Sequence, residues 1–297
     1  MKNYLLLISL FTALSASIFT SCQSNGARAH NSTDVLCNPQ MIFPEDHGQK
    51  QKHSLVFIDL TDSSIYGEKA KSYLQKIMEQ RLSTSEDHRA ESKQKADKLQ
   101  IFYITANTAT TQTLSAANMD LQTTPLGNLV EGQTIINSSK KRRYTCELQD
   151  FIQGHLEVVD EKVHQAQSQN SDINSDVLGM FYLAEREFKR SSAEDKAIFV
   201  ISDMEQFCQN GGYFQCKDTR ICSSGCSSSY AQGDAAADVA SIKGKLGKSL
   251  AMQGAGFHYM RGDRAIGNTN EGVLNFIQDY WAGVSQQLGL KAYDKIH

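Results

Sequence analysis

Four short apolar runs constrain what this chain can become: "SLVFIDL" (54–60), "LQIFYITAN" (99–107), "KAIFVISDM" (196–204) and "GAGFHYM" (254–260). Each is near-continuously apolar rather than alternating, which is the pattern of a strand covered on both faces. Helical patterns separate or follow them, at about Ile65–Leu82, Glu147–Gln167, Asp176–Lys189, Ala235–Met252 and Glu271–Leu288. Strands that alternate with helices of this length need crossover connections, so the expected architecture is an α/β three-layer sandwich around a mainly parallel sheet. Two stretches fall outside the alternation, Thr108–Thr145 and the segment after Cys208.

The amino-terminal stretch "MKNYLLLISLFTALSASIFTSC" places Lys2 ahead of an apolar run from Tyr4 to Phe19, followed by small residues and Cys22. That order is an export signal. No later stretch approaches the roughly 20 apolar residues of a membrane span. Thr20-Ser21-Cys22 resembles the lipobox of bacterial lipoproteins, whose cysteine is lipidated and becomes the mature N-terminus, although Phe19 departs from the usual Leu, Val or Ile. A cut after Ala27-Arg28-Ala29 is the alternative and would release a free protein. The resemblance implies a signal peptide at 1–21, a lipidated N-terminus and polar tether at 22–52, and a membrane-anchored protein. Gln23 after the cysteine points, again by resemblance, to an outer membrane and its periplasmic face.

Seven cysteines less Cys22 leave an even set: Cys37, Cys146, Cys208, Cys216, Cys222 and Cys226. In an exported chain such a set is expected to form disulfides. Four of them lie in "CQNGGYFQCKDTRICSSGC" (208–226), so the economical pairing closes that segment on itself, within an insertion at about 207–232, and leaves Cys37 for Cys146. A zinc knuckle is the competing reading, but gaps of seven, five and three residues lack its close cysteine pairs. The formal charge of −3 argues against nucleic acid as a partner. The one basic run, Lys140 to Arg143, is expected in a solvated loop.

In open α/β sheets ligands sit at the carboxyl ends of the strands, where strand order reverses. Asp59, Thr61 and Ser63 leave the first apolar run at that end, and Asp203 leaves the third. Two carboxylates with hydroxyls form an all-oxygen set, which suits a hard cation such as magnesium better than zinc.

Asp59-x-Thr61-x-Ser63 after an apolar strand resembles the D-x-[ST]-x-S motif of von Willebrand factor type A domains, and the resemblance runs from His53 to the C-terminus. It implies a Rossmann-like fold over 53–297 and a metal ion-dependent adhesion site. In that family the site adds a hydroxyl before a later helix and an Asp after a further strand. "NSDINSDVLGMFYLAEREF" and "AIFVISDM" supply them here. Ser171-Asp172-Ile173 and Ser175-Asp176-Val177 both fit the hydroxyl position. Helix phase favours Ser175, which places Met180, Phe181 and Ala184 at apolar positions, and Ser171 is the alternative. The resemblance implies that Thr61, Ser63 and Ser175 offer oxygens to Mg2+ or Mn2+. Asp59 and Asp203 would act directly or through water, and an acidic side chain of a partner protein would fill the open position.

Asp59 at a strand end also resembles the nucleophile of haloacid dehalogenase-type phosphatases, but their D-x-D is broken here, with Thr61 in place of the second acid. No G-x-S-x-G elbow or Walker loop occurs. Arg261-Gly262-Asp263 reads as a turn after a strand. The expectation is a non-enzymatic protein-binding module at the cell envelope. A phosphohydrolase using Asp59 and a metal-free structural scaffold are the alternatives.

Overall fold

The computed structural model of the protein describes residues 52–59, 65–82, 98–110, 138–169, 175–206, 228–260 and 271–296. The chain divides into units Met1–Asn38 and Pro39–His297, and every described element belongs to the second. Five strands form one sheet: β1 Lys52–Asp59, β2 Lys98–Ile104, β3 Asp195–Ile201, β4 Gly256–Met260 and β5 Ala292–Ile296. Their order is β2-β1-β3-β4-β5, and each pairing is parallel. The helices are α1 Glu68–Leu82, α2 Ser138–Gln169, α3 Met180–Lys189, α4 Ser228–Leu246 and α5 Glu271–Leu288.

Alternation along each strand sends side chains to two separate cores. Leu55, Phe57, Phe102, Ile198, Val200 and Phe257 face α3, α4 and α5, whereas Val56, Ile58, Ile101, Phe199 and Ile201 face α1 and α2. This is the expected α/β sandwich, and the burial of both sheet faces explains why the strand sequences do not alternate. On the first face Phe57 stacks on Phe102 with centroids 5.4 Å apart. Fully buried side chains of the size of Phe181, Phe257 and Trp281 each contribute about 2–3 kcal/mol through removal from water.

On the second face α1 buries Ala70, Tyr73, Leu74, Ile77 and Met78, the spacing of a single helical stripe. Polar contacts hold its two ends. Tyr66 donates to Asp160 of α2 at 2.8 Å and Lys71 pairs with the same carboxylate at 2.8 Å. Arg81 in the last turn donates to Ser54 at 2.6 Å and to Asp195 at 2.7 Å, fastening the helix to the amino ends of β1 and β3.

Element bounds differ from the sequence expectation where side chains or glycines intercept the backbone. β2 stops at Ile104 because the Thr108 hydroxyl accepts the Thr105 N–H at 3.1 Å. α4 spans Ser228–Leu246 rather than Ala235–Met252, ending where Gly247 takes φ 101°, a left-handed stop that favours glycine. α2 begins at Ser138, so Lys140–Arg143 lie on a helix and not in the expected loop. Lys and Arg are good helix formers, and polarity alone does not terminate a helix. β5 was not anticipated; Gly289 at φ 76° ends α5, and Lys291 N–H to Ala255 C=O at 2.9 Å sets β5 beside β4.

Candidate functional site

From β1 the chain crosses to β2 on one side and later returns to β3 on the other, so strand order reverses between β1 and β3. Crossovers diverge from such a point and leave a crevice at the carboxyl ends. Asp59 ends β1 there. Ile58 is in register with Ile201, which makes Ser202 the neighbour of Asp59 across the switch.

Asp59 is fully buried and accepts the Ser202 hydroxyl at 2.7 Å. The Ser175 hydroxyl, itself buried, lies 3.3 Å from both carboxylate oxygens. A serine that donates its hydrogen retains lone pairs as its remaining hydrogen-bonding function. Ser175 is fixed by its successor, because the Asp176 N–H donates to Thr105 C=O at 2.8 Å, at the exit of β2. Three strand ends, those of β1, β2 and β3, thus converge on one short segment before α3.

That segment is locked to the turn after β3. The buried Asp176 carboxylate accepts the Gly179 N–H at 3.1 Å and the Gln206 amide at 3.5 Å, while the Gln206 oxygen accepts the Leu178 N–H at 2.8 Å. Successive N–H to C=O bonds of three-residue span, from Gly179 through Tyr182, tighten the entry to α3. Consequently α3 starts at Met180 rather than Asp176, and Met180, Phe181 and Ala184 are all buried.

The exit of β3 makes side-chain turns in succession. The Met204 N–H donates to the Ser202 hydroxyl at 2.9 Å, and the Glu205 N–H donates to the Asp203 carboxylate at 2.9 Å. These bonds take the strand out of the sheet after Ile201. Asp203 is buried beside Ser202.

Of the residues expected to form the site, Asp59 and Ser175 are in contact and Asp203 follows the residue that bonds Asp59. Thr61, Ser63 and the alternative Ser171 lie outside the described residues. So do Cys22, Cys37, Cys208, Cys216, Cys222 and Cys226, the 207–227 part of the expected insertion, and Arg261-Gly262-Asp263. Cys146 falls on α2, with its side chain outside the description. Sequence reasoning missed Ser202, whose signal was its place immediately before Asp203, and Gln206, which had none.

The described donors at this edge are oxygens: the carboxylates of Asp59 and Asp203 and the hydroxyls of Ser175 and Ser202. Among the described residues no three His, Cys, Asp or Glu side chains converge on one point. Asp59, Ser175 and Ser202 thus form an all-oxygen set, and the neighbouring Asp203 carboxylate accepts the Glu205 N–H. That donor set fits a hard cation of the magnesium type and gives no soft ligand for zinc. Among the described residues no helix is long and apolar enough to cross a membrane.

Neither a protein-family profile nor a curated protein sequence matches the chain. Four chains of solved structures match. One belongs to the crystal structure of the human COPII-coat protein Sec24c, at a TM-score of 0.31 and 10% identity over 83% of this chain. This chain covers 30% of that one. A likeness of this degree carries no inference about activity or partner.

Proposed function

We propose that the protein is a von Willebrand factor type A-like binding module, held at the cell envelope through lipidated Cys22, that engages an acidic side chain of a partner protein through Mg2+ or Mn2+. The observation that carries this is the meeting of Ser175 with Asp59 across 116 residues at the strand-order reversal. Asp59, Ser175 and Asp203 would hold the ion together with Thr61 and Ser63. With a carboxylate acting through water rather than directly, the ion would keep positive charge for an incoming carboxylate. On this reading the stretch from Cys22 up to β1 would serve as the tether, and the cysteines from Cys208 to Cys226 would pair with one another.

A second reading, a metal-free scaffold, is favoured by one contact. The 2.7 Å bond from Ser202 satisfies Asp59 from within the fold. Thr61, standing where a phosphohydrolase of the D-x-D type needs its second acid, weighs against a phosphohydrolase reading.

Titration calorimetry with MgCl2 and MnCl2, paired with thermal melts, tests the proposal. Binding should raise the melting temperature, because at ten times Kd an ion adds roughly 1.4 kcal/mol to the folded state. Asp59→Asn and Asp59→Ala should remove that increment. No heat and no shift up to about 10 mM, an upper limit well above the Kd of a functional site, would leave only the scaffold.

A further inference from the structure

Met204 has φ 63°, and it is the one non-glycine among the described residues with a left-handed backbone. A residue with a Cβ holds that conformation only where its surroundings impose it. Both polar backbone groups of Met204 are held. Its N–H donates to the Ser202 hydroxyl at 2.9 Å, and its C=O accepts the Trp281 indole N–H at 2.8 Å. Trp281 comes from α5, 77 residues later in sequence, and is the only tryptophan of the chain. Its ring is fully buried against Phe181 and Tyr280, at centroid distances of 6.4 and 5.0 Å. The indole N–H is the single polar atom of this side chain, and it goes to the carbonyl of the strained residue.

The same Ser202 oxygen that receives the Met204 N–H donates to Asp59 at 2.7 Å. If Met204 relaxed to a negative φ, its peptide groups would rotate away from Ser202 and from Trp281, and the Ser202-Asp203 step would lose its fixed presentation to Asp59. We propose that Trp281 is a positioning residue for the carboxyl-edge site, holding Met204 left-handed so that Ser202 stays set against Asp59. The role rests on the ion-binding reading only where it concerns affinity; the positioning itself is a property of the backbone.

The test combines Trp281→Phe, Met204→Gly and the double variant. Phenylalanine keeps an aromatic ring and loses the donor, while glycine adopts a left-handed backbone without help. Trp281→Phe should speed hydrogen exchange of the position-204 amide by about fivefold or more relative to the β1 and β3 amides, the scale of one lost hydrogen bond. Affinity for MnCl2 should fall by a similar factor. In the Met204→Gly background, Trp281→Phe should change both readouts by less than about twofold, the sign of a coupled pair.

Met204 is itself buried, so relative exchange and affinity are read and overall stability is not. An unchanged position-204 amide in Trp281→Phe overturns the proposal. So does an effect that persists undiminished with glycine at position 204, because it would mark general core packing. Should Trp281→Phe not fold, native-state exchange of the wild type decides: the Trp281 indole N–H and the Met204 amide should open as one unit, and independent opening overturns the assignment. If the wild type binds neither MnCl2 nor MgCl2, the ion reading falls and the exchange data alone decide the role of Trp281.

Discussion

Ser202 lies 143 residues beyond Asp59 in sequence and donates its hydroxyl to the Asp59 carboxylate at 2.7 Å. The parallel register of β1 with β3 brings them together, since Ile58 and Ile201 are partners one step earlier. Ser202→Ala removes this donor and also the acceptor of the Met204 N–H. A buried polar group left without its partner costs about 1–3 kcal/mol. Urea denaturation should therefore show Ser202→Ala less stable by about 2–3 kcal/mol, and a loss below about 0.5 kcal/mol would mean that water or a neighbour replaces the serine.

Gly179 is a second pressure point. A Cβ there would overlap an Asp176 carboxylate oxygen, stand 2.9 Å from the carboxylate carbon, closer than packed atoms tolerate, and press on the Ala109 nitrogen at 3.1 Å. Asp176 has no direction in which to yield easily, being bonded to Gly179 and Gln206. Gly179→Ala should destabilise by about 1–3 kcal/mol through overpacking. Gly233, exposed within α4 with nothing within 4 Å of a Cβ, is the matched control. Gly233→Ala should stabilise by about 0.5–1 kcal/mol, the usual helix-interior gain. Equal effects of the two changes in thermal melts would remove the packing argument.

The amino ends of the strands carry a pH response. His53 is fully buried, its Nε2 is 2.8 Å from the Gln100 side-chain oxygen, and its ring meets Phe188 edge-on at 5.2 Å. Burial pulls its pKa from 6.5 down to about 4, helped by Lys98 and Lys196 and opposed by the Gln100 hydrogen bond and Glu187. The unfolded chain takes up the proton near pH 6.5 while the folded one resists until about 4. The contribution of His53 to stability is therefore complete above 6.5 and declines as pH falls toward 4, by up to roughly 3 kcal/mol. Denaturation of wild type and His53→Gln across pH 4–7.5 isolates this from the carboxylates, and parallel profiles would refute it.

Much of this architecture can be read from residue order alone. β1 and β3 announce themselves because both of their faces are covered, which keeps Leu55–Ile58 and Ala197–Ile201 apolar without a break. Ser175 could be preferred over Ser171 because the buried stripe of α3, Met180, Phe181 and Ala184, sets the phase. β5 escaped notice because "AYDKI" is a short sheet-edge strand with Asp294 and Lys295 in it, as edges tolerate. α2 escaped at its start because "SSKKRRYT" has no apolar period to follow. Ser202, Met204 and Trp281 lie beyond any local pattern. A serine at the end of an apolar strand signals a partner only once the register of β1 and β3 is known, and a methionine in a left-handed backbone carries no compositional mark.

The parallel order also sets a timetable for the site. β1 pairs with β2 and with β3, and Asp59 finds its Ser202 partner only after a further 143 residues exist. At a synthesis rate of roughly 5–20 residues per second, that interval is on the order of ten seconds. During it Leu55, Val56, Phe57 and Ile58, all fully covered in the finished fold, belong to a chain whose central sheet cannot yet close. The edge where Asp59 meets Ser175 and Ser202 consequently cannot exist before β3 has been made. A nascent chain holds none of the binding geometry, and whatever keeps β1 from pairing elsewhere in those seconds governs the yield of working protein.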